Sequence, residues 1–252
     1  MIDIHSHVLP FLDDGPDSYE HFKELARQAV SSGVTHLVAT PHHNRRYENP
    51  KDKIIKHISH CNQYLKMKNI NLTIYPGQEY RIHREILNPQ KENEILTINQ
   101  GNYLLLELPP HEVPDYTNEV IYELLLKSIT PIIVHPERNK ELQNNPSMIY
   151  EFVQEGALIQ LTAGSVIGKF GGNVKKLASR LIDHQLVHVL ASDAHNIHTR
   201  GFCLDEAYKE ISKSFGHQCT TYFQKNAKNI LENKEFQIES PRHIKKRFFK
   251  FF

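Results

Sequence analysis

The sequence is poor in the residues that signal secretion, disulfide scaffolding or membrane insertion. Its 252 residues contain three cysteines, Cys61, Cys203 and Cys219, and no tryptophan. An odd number of cysteines without paired spacing predicts reduced thiols and a cytoplasmic protein. The N-terminus lacks a basic segment followed by an apolar run, so we expect no signal peptide. No apolar stretch approaches the roughly 20 residues that a membrane-spanning helix needs.

An excess of charge of one sign is also missing. Lys and Arg total 30 and Asp and Glu total 29, which leaves a net charge of +1 at pH 7. Nucleic-acid-binding proteins usually carry a basic field or patch, so we expect no nucleic-acid partner. With 39% hydrophobic and 23% charged residues, the composition is typical of a globular protein that can bury a substantial core.

The sequence does contain a regular alternation of helix and strand patterns. Amphipathic segments such as residues 17–33 and 51–68 predict helices, and short apolar runs such as 103–109 and 130–134 predict buried strands. About seven such units predict an α/β fold whose parallel sheet closes, or nearly closes, into a barrel with helices outside. The composition changes only near residue 235, which predicts one domain over 1–235 and a tail over 236–252.

Histidines and carboxylates stand where the predicted strands end. The C-terminal ends of parallel barrel strands converge on one rim, so side chains far apart in sequence can meet there. His5 and His7, two positions apart on an extended strand, point to the same side, and Asp193 and His195 can reach the same cleft. The strand-end residues are His5, His7, His42, His43, Glu79, Glu107, His135, Glu137, Arg138, Asp193 and His195.

Each of these residues taken alone has a simpler explanation. Glu107 could pair with a lysine, Glu137 and Arg138 could form a surface ion pair, and the run Asp13–Gly15 is a typical turn. Together, histidines and carboxylates without cysteine favour Zn, Mn or Fe bound through nitrogen and oxygen. Burying several carboxylates at one rim is unfavourable unless cations compensate their charge. The sequence therefore predicts a metal site.

Several of these motifs resemble those of a known family. DIHSH, TPHH, GQE, ELP, HPERN and SDAH are similar to the motifs of the PHP family, the polymerase and histidinol phosphatase domain. Within it, DIHSHVLPFLDDGP, VHPERN and SDAHN resemble the manganese-dependent tyrosine phosphatases of Gram-positive capsule and exopolysaccharide loci. The resemblance covers residues 1–235 and implies a distorted seven-stranded (β/α) barrel of PHP type. It also implies a cluster of three Mn²⁺ ions, with Fe or Zn as the other candidates.

The resemblance further implies a role for each matching residue. Arg138 and Arg200 would stabilise the phosphate and the transition state, since guanidinium groups match phosphate geometry. A metal-activated hydroxide would attack phosphorus without forming a covalent phosphoenzyme. The implied metal ligands are His5, His7 and Asp193 for a first ion, Glu79 as a bridge to a second ion completed by Glu107 and His135, and Asp14, His42 and His195 for a third.

The cysteine-dependent route to tyrosine dephosphorylation is excluded by the sequence. That route needs a cysteine, five intervening residues and an arginine in one phosphate-binding loop. The residues at the arginine position after the three cysteines are Met67, Lys209 and Lys225. A phosphatase with this sequence must therefore depend on metal.

The resemblance implies a phosphotyrosine protein as the substrate, namely the tyrosine-rich tail of a membrane-associated capsule kinase, and a membrane-proximal location. The last twelve residues hold five Lys or Arg and four Phe. This composition is typical of peripheral contact with anionic lipid, and the alternative is a C-terminal helix that packs on the barrel. A homo-oligomer is compatible with the sequence.

Two other functions remain open at this point. One is a small-molecule phosphatase of the histidinol-phosphate type, which would share the metals but recognise an imidazole and an amine. The other is a metal-bound scaffold without turnover. The complete set of candidate ligands disfavours the scaffold.

Overall fold

The computed structural model of the chain describes residues 1–86, 88, 94–235 and 238–244. Strands and helices alternate along these residues as predicted, and the paired strands run parallel. The strands are β1 (Ile2–Ser6), β2 (His36–Ala39), β3 (His42–His43), β4 (Thr73–Pro76), β5 (Glu79–Arg81), β6 (Tyr103–Glu107), β7 (Thr130–Val134), β8 (Leu158–Thr162) and β9 (Val189–Ala191).

The helices agree with the predicted amphipathic segments and add two short ones. The first helix stops, as predicted, just before Gly33, whose φ of +84° favours glycine. The additional helices are α4, which the Asn139 side chain caps by accepting from Leu142 N at 2.9 Å, and α6. The helices are α1 (Tyr19–Ser31), α2 (Lys51–Met67), α3 (Thr117–Leu126), α4 (Lys140–Asn144), α5 (Ser147–Gln154), α6 (Ala163–Val166), α7 (Gly172–Asp183), α8 (Leu204–Phe215) and α9 (His217–Leu231).

The strands form two parallel sheets, and the expected closed seven-stranded barrel is not confirmed. The strand orders are β1-β2-β4 and β3-β5-β6-β7-β8-β9. The division falls at two prolines, Pro41 before β3 and Pro76 at the end of β4. Proline donates no backbone hydrogen bond and therefore interrupts a ladder. Beside the second break, Gly77 lies so close to Val38 that a β-carbon would meet Val38 Cγ1 at 2.6 Å.

Alternate residues of the buried strands fill two apolar clusters. In β6, Leu104 and Leu106 belong to the larger cluster, which the helices cover, and Leu105 belongs to the smaller one. The smaller cluster also contains Ala227 and Ile230 of α9. Since neighbouring strand residues point to opposite faces, both faces of the sheet are buried, as expected for a parallel sheet.

Helix α9 covers the amino ends of the strands. Asn99, which precedes β6, donates from Nδ2 to the Leu231 carbonyl at 3.1 Å, and Asn226 donates from Nδ2 to the His188 carbonyl, just before β9, at 2.8 Å. The amino ends are therefore closed by protein. The carboxyl ends, where the polar strand-end residues lie, remain free for a site.

The last described residues of the tail, 242–244, return to the fold. Ile244 is buried in the larger cluster, Arg242 N donates to the His184 carbonyl at 2.8 Å, and the His243 ring lies 5.0 Å from Tyr150. Residues 245–252, on which the predicted lipid contact depends, lie outside the described residues. Within the described part of the chain, no helix combines the length and apolar character needed to cross a bilayer.

A buried histidine joins β8 to β9. His188 Nδ1 accepts from Ile159 N at 2.9 Å, and His188 N donates to the Ile159 carbonyl at 3.0 Å. Burial lowers the pKa of His188 to about 3. A protonated ring could not accept from Ile159 N, so the folded protein holds this ring neutral.

We expect His188 to make the free energy of unfolding depend on pH. The unfolded residue has a pKa near 6.5, so its contribution is complete above that pH and is lost as the pH falls, because only the unfolded chain takes up the proton. The substitution His188→Asn keeps an acceptor for Ile159 N. This substitution should reduce the slope of the free energy of unfolding against pH, between about pH 6 and pH 4, by roughly 1.4 kcal/mol per pH unit. Urea denaturation of both metal-stripped proteins measures this slope, and equal slopes would contradict the assignment.

Candidate metal centre

The nine predicted ligand residues lie together at the side of the sheets where β1, β6, β7 and β9 end, but His42 and Glu79 reach this side from the first positions of β3 and β5 and not from the expected strand ends. Their nitrogen and oxygen atoms form four groups, in each of which all donor atoms lie within 4.8 Å of one another. The groups are His5, His7 and Asp193; His5, Glu79 and His135; His42, Glu79 and Glu107; and His7, Asp14, His42 and His195.

Glu79 lies at the centre of this cluster. Its Oε2 is 2.7 Å from His42 Nδ1, 3.2 Å from His7 Nε2 and 3.6 Å from His5 Nε2, and its Oε1 is 2.7 Å from His135 Nε2. The carboxylate is 1% exposed. Burial opposes its charge, but the histidines, above all His42 and His5, outweigh burial and hold the pKa of Glu79 well below its usual value.

Glu107 joins the cluster through Glu79 and His42, with which it shares a group, while Glu79 also shares a group with His135. The charged partner of Glu107 is an arginine and not the lysine considered above: Arg81 donates to Glu107 Oε2 from Nε at 2.9 Å, with Nη2 at 2.7 Å. Burial and the neighbouring Glu79 raise the pKa of Glu107 to about 7.

The two predicted phosphate-binding arginines meet at one carboxylate. Asp193 Oδ2 accepts from Arg138 Nη2 at 2.5 Å and from Arg200 Nη2 at 3.0 Å. Asp193 Oδ1 faces His5 Nε2 at 3.6 Å and His7 Nε2 at 3.5 Å. Both guanidinium groups are partly exposed and line the cavity beside the cluster, so they can also reach an anion in that cavity.

Asp14 and His195 form the outer edge of the cluster. Asp14 Oδ1 lies 3.4 Å from His195 Nε2 and 3.5 Å from His42 Nε2. Burial, followed by the charge of His7, lowers the pKa of His195 to about 4. The ring is therefore neutral near pH 7. Its Nδ1 donates to the Asp193 carbonyl at 2.9 Å, which leaves the Nε2 lone pair free to bind a cation.

Four buried atoms of the cluster have no hydrogen-bond partner within the described residues. They are His42 Nδ1, Glu79 Oε2, Asp193 Oδ1 and His195 Nε2. His42 Nδ1 and Glu79 Oε2 lie 2.7 Å apart without the angles of a hydrogen bond. An unsatisfied buried polar atom costs about 1–3 kcal/mol, so four of them at one place need another stabilising group. Nitrogen and oxygen donors in this mixture fit Mn, Fe or Zn.

Two residues that orient the histidines were not recognised in the sequence as part of the site. Asp13 Oδ2 lies 2.6 Å from His7 Nδ1, and Gln160 Oε1 lies 2.8 Å from His5 Nδ1. Each contacts the ring nitrogen that faces away from the cluster. The available signals were the position of Asp13 in a run of acidic residues and the polar side chain of Gln160 in the middle of the otherwise apolar segment ALIQL.

Two strand-end residues point away from the cluster. The surface ion pair considered for Glu137 is wrong, because this side chain is buried and accepts from Ser165 Oγ at 2.6 Å and Thr162 N at 3.0 Å. These bonds tie the turn that carries Arg138 to β8. His43 Nδ1 instead contacts the backbone of the β3–α2 loop, 3.2 Å from the Asn49 carbonyl.

Comparison with known proteins identifies relatives over the full length of the chain. The model of a family described as "Capsular polysaccharide synthesis, CpsB/CapC" matches residues 1–232. Tyrosine-protein phosphatase YwqE of Bacillus subtilis is 39% identical over 248 residues, 98% of each protein. Tyrosine-protein phosphatase CpsB of Streptococcus pneumoniae is 32% identical over 250 residues, 97% of this chain and 98% of the relative.

A solved structure agrees with the fold. It is described as one of YwqE from Bacillus subtilis and CpsB from Streptococcus pneumoniae, "unique metal-dependent tyrosine phosphatases". The TM-score is 0.95 at 39% identity, and the match covers 98% of this chain and 100% of that one. The resemblance stated from the sequence motifs is thereby confirmed.

The central position of Glu79 makes it the most sensitive residue for metal binding. Glu79→Gln removes the negative charge shared by two of the four groups. Because even outer-shell partners contribute about 10–100-fold to metal affinity, we expect affinity for Mn²⁺ to fall by at least about 100-fold. Equilibrium dialysis with elemental analysis measures this loss. The control is Glu123→Gln on the exposed face of α3, and equal metal content in the two variants would contradict the prediction.

Proposed function

Because the chain belongs to the CpsB/CapC family of capsular polysaccharide synthesis, we propose that it is a metal-dependent protein-tyrosine phosphatase. The observation that carries this proposal is the convergence of four buried ligand atoms that have no hydrogen-bond partner among the described residues. Relatives that match nearly the whole chain are tyrosine-protein phosphatases. The family and the chemistry of the site therefore support the same activity.

The proposed ligands are the nine residues of the cluster. Glu79 is central and would be shared between ions, while Glu107 and Asp14 add carboxylates to two different groups. These carboxylates make the set harder and favour Mn²⁺ over softer ions, with Fe and Zn as alternatives for the test. Bound divalent cations would lower the pKa of a water molecule and neutralise charge on the phosphate oxygens.

The chain supplies its own groups for the phosphate and the aromatic ring. Arg138 and Arg200 line the cavity next to the cluster, where their guanidinium groups would orient the phosphate oxygens. Leu108 and Pro110 form an apolar part of the same cavity. An aromatic ring linked to the phosphate would contact these side chains. A small polar alcohol would leave them exposed to water.

The three cysteine thiols are unsuited to act as nucleophiles, which favours a metal-dependent reaction. Burial raises the pKa of Cys61 to about 12 and that of Cys203 to about 11, and Cys219 is likewise raised to about 11. A nucleophilic cysteine needs the opposite shift, toward the thiolate at neutral pH.

We also propose that the two sheets form one distorted barrel of seven strands, two of which are interrupted. In this interpretation β2 with β3 and β4 with β5 each form one strand broken at proline. The ring would close between β9 and β1, where Asp193 N donates to the His5 carbonyl at 2.9 Å and His7 N donates to the Ala194 carbonyl at 2.8 Å. Ser6 and Ala194 form a parallel bridge at this point.

Residues 1–235 would form the catalytic domain, and residues 236–252 would form a tail that holds the protein near its substrate. The resemblance implies a phosphotyrosine protein, a membrane-associated capsule tyrosine kinase, as that substrate. Ile244 anchors the tail in the larger apolar cluster. The basic and aromatic residues after it have the composition of a segment that binds anionic lipid.

The activity is tested with metal-stripped protein to which Mn²⁺ is added back. We expect phosphate release from a phosphotyrosine peptide and little from histidinol phosphate, because the cavity offers arginines and apolar groups. His135→Ala should lower the Mn²⁺-dependent rate by at least about 100-fold, since it removes a proposed ligand. Preference for histidinol phosphate would favour a small-molecule phosphatase. No release from either compound by Mn²⁺-loaded protein would favour a scaffold.

The tail is tested by sedimentation with lipid vesicles. The full chain should bind vesicles containing phosphatidylserine at least about tenfold more tightly than a chain that ends at Ile244, because each basic residue near an anionic surface contributes about 1 kcal/mol. Binding should weaken with added salt and should be small on phosphatidylcholine alone. Equal binding by the two chains would contradict lipid contact through residues 245–252.

A further inference from the structure

Resting on the proposed function, we propose that Asp13 is a positioning residue that assembles the group His7, Asp14, His42 and His195 into an ion-binding position. Asp13 is not one of the nine proposed ligands. It contacts two members of this group and is adjacent in sequence to a third. No other described side chain makes all three connections.

The contacts of Asp13 account for both of its oxygens. Oδ2 lies 2.6 Å from His7 Nδ1 and accepts from His42 N at 3.0 Å, and Oδ1 accepts from Gly15 N at 3.0 Å. The side chain is 1% exposed. A buried carboxylate with three such bonds holds a single orientation, so it restricts the orientation of the groups that it contacts.

The bond to His7 determines which ring nitrogen can bind a cation. A carboxylate can only accept, so His7 Nδ1 must carry the proton. The lone pair of a neutral His7 then lies on Nε2, which faces Glu79 Oε2 at 3.2 Å and Asp193 Oδ1 at 3.5 Å. This is the arrangement by which an outer carboxylate orients a metal-binding histidine.

The loop that contains Asp13 also places Asp14. Gly15 packs directly on the backbone just after β1, where a β-carbon on Gly15 would meet the His7 carbonyl oxygen at 2.2 Å. Between Asp13 and Gly15, the Asp14 carboxylate comes within 3.4 Å of His195 Nε2. The side chain of Asp13 therefore connects His7, Asp14 and the backbone of His42.

Other parts of the cluster have different outer partners. Gln160 contacts His5, and Arg81 holds Glu107. One of the four groups, that of His5, Glu79 and His135, contains none of the residues that Asp13 contacts or adjoins. Loss of Asp13 should therefore affect one part of the cluster and leave another intact.

The test is Asp13→Asn in the full chain. The amide has nearly the same shape, but its NH₂ can donate to His7 Nδ1 and so move the ring proton to Nε2. We expect Mn²⁺ content at fixed free Mn²⁺ to fall by about one ion per chain, with affinity at the affected position lowered about 10–100-fold. The remaining ions should bind with wild-type affinity.

The matched control is Asp17→Asn. Asp17 Oδ1 also lies 2.6 Å from a histidine Nδ1, that of His21, but this pair is exposed on the surface. The Asp17→Asn variant should keep the full metal content. ¹⁵N NMR of the metal-stripped proteins, at a pH where the His7 ring is neutral, provides a readout independent of activity: His7 should carry its proton on Nδ1 in the wild type and on Nε2 in Asp13→Asn.

Full metal content with wild-type affinity in Asp13→Asn would overturn the proposal. So would uniform loss of all ions, which would give Asp13 only a role in folding, or an unchanged His7 tautomer. Wild-type protein that binds Mn²⁺ but hydrolyses no phosphotyrosine would contradict the proposed function and leave the role of Asp13 standing. Wild-type protein that binds no divalent cation would overturn both.

Discussion

The buried carboxylate of Glu79 is the group on which the rest of the site depends. It is the first residue of β5 and lies opposite His42, the first residue of β3, in a parallel pair. Both strands begin just after the proline breaks that divide the sheets. The register is nevertheless the same on both sides of the breaks, since Ala39 lies opposite Pro76 in the first sheet and His42 opposite Glu79 in the second. A shift of one residue would turn a side chain to the other face, so this common register determines that Glu79 and His42 meet.

A cluster of buried carboxylates and imidazoles needs support from outside. Gln160 and Asp13 contact the outward ring nitrogens of His5 and His7, and Arg81 contacts Glu107 Oε2. These partners limit the orientations that each ring or carboxylate can adopt. The same bonds satisfy polar atoms that would otherwise be buried without partners, so the inward-facing atoms remain available for a cation. The outer partners come from a loop, a strand centre and a strand end.

The arginines show how charge is balanced at the edge of this cluster. Arg138 and Arg200 share Asp193, and Arg138 is carried by a turn that the buried Glu137 ties to β8. Its position therefore depends on β8 as well as on its own strand. Because both guanidinium groups are partly exposed, they can contact an anion in the cavity without losing all contact with the protein. This arrangement suits a substrate with a phosphate group at one end.

Local patterns in the sequence were enough to predict the element types and the candidate site residues, because apolar periodicity and the order His-x-His, Glu and Asp-x-His are properties of short segments. The sequence did not predict Asp13, Gln160 or Arg81 as supports, since Gln160 and Arg81 act on residues of other strands and Asp13 reaches His7 only through the folding of the loop that they share. It also did not predict the division into two sheets, which depends on how chain breaks at proline align between neighbouring strands. These features depend on register and packing between elements, which set the hydrogen-bond partners and which no single segment encodes.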